Sequence, residues 1–197
     1  LHPHLPSLAR SLAREGYHTA YLYPGAMTNM GKRDYLLHMG FRELIDNTAF
    51  APDELYSAWG ADDSTSAMKA FHRIARMDTA SHWLMAYQTV SSHEPWKVPY
   101  HRLQDEKLNA FAYTDHCLGQ LIDSLRTLPQ WDNMLVVMIP DHGYLYGQSY
   151  EDPEFFHSPM LWLGGAIRHP RRMQVLMNQS DLCATLLSQM GVSHRDY

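Results

Sequence analysis

The sequence lacks the features that mark several common classes of protein. Its 197 residues contain no apolar run long enough to cross a bilayer and no secretory signal at the start. The formal net charge of -5 gives no reason to expect a nucleic-acid partner, because such a surface needs clustered Lys and Arg. Residue 1 is leucine rather than methionine, so the missing signal concerns these residues only.

Cysteine is also scarce. Cys117 and Cys183 are far apart and have no CxxC spacing, which excludes a zinc knuckle and a dithiol redox motif. We expect both to be small buried hydrophobic residues. The composition is otherwise that of a soluble globular protein with a core, 45% hydrophobic and 19% charged, and its 13 histidines are compatible with metal chemistry.

Helical and strand patterns alternate along the chain. The predicted helices are LPSLARSLAR, DDSTSAMKAFHRIARM, EKLNAFAYTDHCLGQLIDSLRTL and SDLCATLLSQM, and the predicted strands are HTAYLY, HWLMAYQTV, NMLVVMI and SPMLWLGG. In the second helix we expect Asp62 or Asp63 to be the N-cap. Four apolar residues should face inward: Met68, Phe71, Ile74 and Ala75. This order predicts an α/β fold with a mainly parallel sheet and helices on both faces.

Polar residues gather where three of the predicted strands end. The segments are PGAMTNMGKRD, with Arg33, SSHEPW, with His93, and DHG, with Asp141 and His142. Ligands of α/β sheets bind outside the carboxyl ends of the strands, so we expect these side chains to meet at one edge. The alternative is that Arg33 is a surface cation, that His93 is a loop imidazole bonded to backbone, and that DHG is a simple turn.

A carboxylate next to an imidazole points to metal chemistry. Past the end of a strand the chain can turn, so Asp141 and His142 can converge on one ion. Their oxygen and nitrogen donors suit zinc or manganese. Gly143 would let the backbone turn sharply beside that site.

Several segments in this order resemble the sulfatase-like domain of the lipoteichoic acid synthase (phosphoglycerol transferase) family, in the alkaline phosphatase superfamily. The segments that carry the resemblance are LPSLARSLAREGYHTAYLYPG, MGFRELID, WGADDSTSAMKAF, SSHEPWKVP, AYTDHCLGQLIDSL, VVMIPDHG, FFHSPMLWLGG and SDLCATLLSQMGV. The resemblance implies that residues 1–197 form the C-terminal part of such a catalytic domain. The part bearing the nucleophilic threonine and the remaining metal ligands would lie upstream, so we expect the chain alone to be inactive.

The same resemblance gives roles to individual residues. Asp141 and His142 match the metal ligands of the family, with Mn²⁺ expected and Zn²⁺ or Mg²⁺ as alternatives. His93 and Arg33 match the histidine and arginine that contact the substrate phosphate. His157 is a candidate for a second-shell group, with a loop histidine packed between its neighbours as the alternative. Asp115 recurs in the family pattern, and we expect it to be a structural acid bonded to a neighbouring loop.

The implied function is a metal-dependent transferase or hydrolase of phosphate or sulfate esters, with a lipid-linked substrate and a membrane-anchored, extracytoplasmic bacterial parent protein. Pro24 and Gly31 stand about where the lipoteichoic acid synthases carry a histidine and an aromatic residue. This departure leaves two alternatives open. One is an arylsulfatase-like hydrolase, and the other is a non-catalytic sulfatase-like domain that binds lipid or protein.

Overall fold

The computed structural model describes residues 5–147 and 149–197. Its α-helices are α1 (Leu8–Arg14), α2 (Lys32–His38), α3 (Asp63–Ala75), α4 (Glu106–Leu125) and α5 (Asp181–Gln189). Its strands are β1 (His18–Leu22), β2 (Glu43–Ile45), β3 (Leu55–Ser57), β4 (Gly60–Ala61), β5 (Trp83–Tyr87), β6 (Val136–Met138) and β7 (Leu161–Leu163). All the predicted helices and strands are present, and α2, β2, β3 and β4 were not predicted. None of the described helices is long and apolar enough to span a membrane.

The chain divides into two compact units. The first comprises the residues up to Ser124 together with Val175–Tyr197, and the second comprises Leu125–Gln174.

A parallel sheet with strand order β2-β1-β5 organises the first unit. In β1, Leu22 is in register with Ile45 of β2 and with Tyr87 of β5, so the three strands end level with one another. The sheet confirms the predicted α/β class. It also means that the loops leaving β1 and β5 start side by side at one edge.

Local sequence signals account for the helices around this sheet. Ser7 caps α1 by accepting a hydrogen bond from the Arg10 amide, and the helix then buries Ala9 and Leu12. Asp62 caps α3, because its carboxylate accepts from the amides of Ser64 and Thr65.

The buried face of α3 differs from the prediction. The buried residues are Asp63, Ser66, Ala67, Ala70 and Ile74, whereas Met68 is 39% exposed. Ile74 is buried as predicted, whereas Phe71 is only partly buried and Ala75 is exposed. Small and hydrogen-bonded polar side chains occupy the inward face instead.

The second unit contains an antiparallel pair, in which Val137 of β6 lies opposite Trp162 of β7. Both segments were predicted as strands, but they pair antiparallel, whereas the strands of the sheet in the first unit pair parallel. Periodicity within a segment predicts that a strand exists, and the partner determines its direction.

The first unit holds two compact apolar clusters. One comprises Tyr23, Met27, Leu36 and Val90, and the other comprises Val98, Ala110, Tyr113 and Cys117. Cys117 is a buried free thiol, as predicted, and burial raises its pKa to about 11. Cys183 is also free but only half-buried.

Candidate functional site

The carboxyl edge of the parallel sheet carries a cation that the sequence analysis did not select. The Lys32 ammonium lies 2.9 Å from Gln88 Oε1 and 3.4 Å from the ring centroid of Tyr23. Tyr23 follows β1 and Gln88 follows β5, so Lys32 bridges two neighbouring strand ends. The Tyr21 hydroxyl also donates to Gln88 Oε1, at 2.9 Å, which fixes the orientation of this amide.

Arg33 is the next residue, and its side chain is exposed in the first turn of α2. Its amide donates to the Met27 carbonyl at 2.9 Å. An exposed guanidinium fits both the predicted phosphate contact and the alternative of a surface cation. The phosphate contact of Arg33 therefore stays a prediction.

The structure describes the surroundings of the two residues of this loop that the resemblance singled out, Pro24 and Gly31. Pro24 is fully buried. Gly31 precedes α2 with a φ of 69°, a left-handed conformation that glycine adopts without steric cost.

His93 lies in the turn that follows β5, and its ring orientation is set by neighbouring groups. The His93 amide donates to the Val90 carbonyl at 3.1 Å, and the ring packs on Trp59 with centroids 4.2 Å apart. Trp59 Nε1 donates to the Glu94 carbonyl at 2.7 Å. Trp59 therefore holds this turn by two contacts.

The hydrogen bonding of His93 also fixes its tautomer. Its Nδ1 lies 3.1 Å from the Glu94 carbonyl oxygen, which can only accept, so Nδ1 carries a proton. Nε2 then donates a hydrogen bond only when the ring is cationic. The backbone contact matches the alternative interpretation of His93, and it also leaves Nε2 as the nitrogen for a ligand.

The turn that carries His93 is attached to a buried acid, Asp63. One carboxylate oxygen of Asp63 accepts from the amides of Val90 at 2.8 Å and Ser91 at 3.2 Å, and the other accepts from the Thr114 hydroxyl at 2.6 Å. Burial raises the pKa of Asp63, while these hydrogen bonds oppose that effect. The prediction for Asp115 was wrong, because this residue lies on the exposed side of α4. Asp63 is the structural acid that bonds a neighbouring loop.

In the second unit, the loop after β6 presents Asp141 and His142 to solvent. Their side chains are 77% and 71% exposed, and His142 Nε2 lies 3.8 Å from Asp141 Oδ1. His142 Nδ1 lies 2.8 Å from the Gly143 carbonyl, so Nδ1 carries a proton and the lone pair of neutral imidazole is on Nε2. That is the arrangement of a metal-binding histidine, whose second nitrogen is held by a carbonyl.

Gly143 also has a packing role. A Cβ at this position would lie 2.0 Å from the Phe155 carbonyl oxygen. Glycine is therefore required for the close approach of this loop to the short 3₁₀ helix Pro153–Phe156.

His157 directly follows that short helix and is 59% exposed. Its Nδ1 lies 3.5 Å from Glu154 Oε2, an ion pair when the ring is protonated. The second-shell role of His157 stays a prediction.

The predicted site residues thus fall in both units. Arg33 and His93 belong to the first, and Asp141, His142 and His157 belong to the second. Their convergence on one active site stays a prediction. Within residues 5–147 and 149–197, no three His, Cys, Asp or Glu side chains are grouped to hold a metal. Asp141 and His142 fit the role of two ligands.

The chain thus has an α/β fold, polar loops at its strand ends and an exposed Asp-His pair. Comparison with known proteins identifies the family to which this combination belongs. The model of the sulfatase family matches residues 1–192, so the chain belongs to the sulfatase family. It is similar to a protein of the alkaline phosphatase superfamily from Vibrio parahaemolyticus, with 27% identity and a TM-score of 0.80. The match covers 94% of this chain and 47% of that chain.

Two further structures share the fold. The lipoteichoic acid synthase LtaP from Listeria monocytogenes is 20% identical with a TM-score of 0.86, over 97% of this chain and 54% of LtaP. The phosphoglycerol transferase GacH from Streptococcus pyogenes, in complex with sn-glycerol-1-phosphate, is 15% identical with a TM-score of 0.63, over 88% and 50%. The family match confirms the predicted resemblance to the sulfatases, and the structural likenesses confirm the predicted fold class. The chain spans about half the length of each of these proteins.

Proposed function

We propose that this sulfatase-like domain is part of a metal-dependent enzyme that transfers or hydrolyses phosphate esters of the phosphoglycerol type. The observation that carries the proposal is the exposed pair of Asp141 and His142, with Nε2 of His142 available to a cation. The bound sn-glycerol-1-phosphate of GacH supports a phosphate ester as the substrate class.

Asp141 and His142 would hold a divalent cation, Mn²⁺ in our proposal, through a carboxylate oxygen and Nε2. Such an ion supplies Lewis acidity and lowers the pKa of a coordinated nucleophile. The nucleophile would be a threonine upstream of these residues, and the reaction would pass through a covalent phosphoryl intermediate on it. The hydrogen bond to the Gly143 carbonyl would keep His142 in the tautomer that coordinates through Nε2.

Arg33 and His93 would act on the substrate phosphate. The planar fork of Arg33 can bind two non-bridging oxygens at once, which orients the group for in-line attack. His93, protonated on Nδ1 by its bond to the Glu94 carbonyl, can donate from Nε2 as a cation. In that state it can stabilise a phosphate oxygen or protonate the leaving alkoxide.

The proposal further places the domain on the outer side of a bacterial membrane, anchored by another part of the parent protein, with a lipid-linked ester as substrate. It is supported by the likeness to LtaP, a lipoteichoic acid synthase.

The test is an assay of a longer form of the protein that includes the residues preceding Leu1. With added Mn²⁺, it should turn over a chromogenic phosphodiester faster than a phosphomonoester or an aryl sulfate. Asp141→Ala should lower kcat by more than about a hundredfold, because loss of even an outer-shell partner costs about 10- to 100-fold. Glu151→Gln, an exposed acid of the same unit, is the matched control and should retain full activity.

Three other outcomes would overturn the proposal. Preferential turnover of the aryl sulfate would favour a sulfatase. Activity that survives Asp141→Ala would place the metal elsewhere. A full-length protein without turnover and without a stoichiometric divalent cation would be a non-catalytic binding domain.

A further inference from the structure

We infer that Asp63 is a positioning residue for substrate binding, because its buried carboxylate fixes the turn that presents His93. The part of the inference that concerns substrate binding rests on the proposed function, in which His93 contacts the phosphate. The part that concerns the position of His93 rests only on the contacts described in the first unit.

The attachment between Asp63 and this turn is reciprocal. The Asp63 carboxylate accepts from the amides of Val90 and Ser91, and the Asp63 amide donates to Ser91 Oγ at 2.9 Å. Asp63 begins α3, so these bonds connect the start of a helix to the residues that leave β5. Since α3 begins beside Asp62, its helical cap, the position of the carboxylate is itself fixed.

A third element holds the carboxylate from the other side. Thr114 of α4 donates to Asp63 Oδ2 at 2.6 Å, so both oxygens have partners. Asp63 is completely buried. Burying a carboxylate destabilises the folded state unless hydrogen bonds compensate for the lost hydration. The turn must therefore keep the arrangement in which all these hydrogen bonds to Asp63 are formed.

The position of His93 follows from that of Val90. The His93 amide donates to the Val90 carbonyl, and the Trp96 amide donates to the His93 carbonyl, each at 3.1 Å. The Val90 amide donates a hydrogen bond to the Asp63 carboxylate, and the Val90 carbonyl accepts one from the His93 amide. A displacement of Val90 therefore moves the His93 ring relative to Trp59, on which it packs.

The inference separates two functions of one side chain. A purely structural acid would affect stability alone, whereas a positioning residue also changes the geometry and ligand affinity of His93. Asp63→Asn keeps the shape and one acceptor oxygen, and the Thr114 hydroxyl can rotate to accept from the new amide. We expect this variant to rescue the positioning that Asp63→Ala loses.

The experiment is a ¹H–¹³C NMR measurement of the His93 ring in the 197-residue chain, assigned with His93→Gln. The ring current of Trp59, 4.2 Å away between centroids, makes these resonances a measure of ring position without any ligand. Asp63→Ala and Thr114→Val should shift them, and Asp63→Asn should leave them near the wild-type values. Asp115→Asn, an exposed acid one residue after Thr114, is the matched control and should have no effect.

A titration with inorganic phosphate provides the functional readout. Asp63→Ala should weaken binding at least about tenfold, because misplacement of a binding group by about 1 Å can cost about a hundredfold. Unchanged His93 resonances in folded Asp63→Ala, or in Thr114→Val if the alanine variant does not fold, would overturn the inference. Wild-type chain that binds no phosphate would contradict the proposed function instead, and the ligand-free resonances would still decide the positioning.

Discussion

Two loops carry the proposed site, and they are built in opposite ways. The His93 turn of the first unit is bound to Asp63, whose side chain has no exposed surface. The Asp141–His142 loop of the second unit has side chains that are 77% and 71% exposed. Two hydrogen bonds within this loop run from the His142 amide to Asp141 Oδ1 and from His142 Nδ1 to the Gly143 carbonyl.

The difference shows that the conformations of the two loops have different physical origins. The His93 turn is held by the Asp63 carboxylate, which is buried in its own unit, so the geometry of the turn is linked to folding. The Asp141–His142 loop is constrained at its backbone by the close approach of Gly143 to the Phe155 carbonyl. Substitution of an acid should therefore affect stability in the first loop and cation binding in the second.

The largest expected effect is on the free energy of unfolding. Asp63→Ala removes the acceptor for the Val90 and Ser91 amides and for the Thr114 hydroxyl. A buried polar group left unsatisfied costs about 1–3 kcal/mol, so we expect a total loss of at least about 3 kcal/mol in urea unfolding. Asp141→Ala should stay within about 0.5 kcal/mol of wild type, as exposed substitutions do. Equal losses in the two variants would break the comparison.

Gly143→Ala tests the backbone origin of the second loop. The added methyl group would lie 2.0 Å from the Phe155 carbonyl oxygen, so one of the two segments must move. We expect a destabilisation of about 1–3 kcal/mol, the usual cost of overpacking, together with weaker Mn²⁺ binding. Gly119→Ala is the control, because its Cβ would meet nothing within 4 Å in α4, and it should stabilise by about 0.5–1 kcal/mol. A neutral Gly143→Ala would contradict the close approach.

A third prediction uses a charge cluster outside both loops. Glu43 accepts two hydrogen bonds from Arg73, each at 2.6 Å, and lies 2.7 Å from His18 Nε2. The Arg73 guanidinium, more than His18, lowers the pKa of Glu43 from 4.5 to about 2, although burial opposes the shift. The folded-state pKa is depressed, so the stabilisation is complete above about pH 4.5 and is lost as the pH falls towards 2.

The side chains of Glu43 and Arg73 are 27% and 29% exposed, so screening by solvent reduces this contribution to about 1 kcal/mol. Urea unfolding of wild type and Glu43→Gln should therefore differ by about 1 kcal/mol near neutral pH and converge below about pH 3. A difference that persists at acid pH would mean that packing, rather than the ion pair, is responsible. The chemical shifts of the His93 ring should be the same in both proteins. Glu43 and His18 lie where β2 and β1 begin, whereas the His93 turn follows the end of β5.

The helices and strands with a clear hydrophobic period could be predicted from the sequence. The elements that are defined by contacts between distant segments could not. The sequence predicted α3, α4, β1 and β5 because each has a helical or strand period. It missed β2, a three-residue strand that is recognisable mainly by its pairing with β1.

The same limit applies to the site. Strand ends and motif spacing selected His93, Asp141 and His142 from local sequence. Asp63 was overlooked as a buried acid because its partners, Val90 and Thr114, are 27 and 51 residues away. Lys32 was overlooked because its contact with Gln88 spans 56 residues and connects two strand ends.

The smallest expected effect separates the two adjacent cations of the first unit. Lys32→Met removes a hydrogen bond to Gln88 and the contact with the Tyr23 ring, so we expect a loss of about 0.5–1 kcal/mol of stability. Arg33→Met should change stability by less than about 0.5 kcal/mol, because the side chain is exposed. If the proposed function holds, the order should reverse in the longer protein. Arg33→Met should then raise KM about tenfold, equivalent to about 1.4 kcal/mol of lost binding. Lys32→Met should raise KM less, since its ammonium is already engaged by Gln88 and Tyr23. A larger KM effect for Lys32→Met would move the phosphate contact from Arg33 to Lys32, one residue closer to the sheet edge that holds the His93 turn.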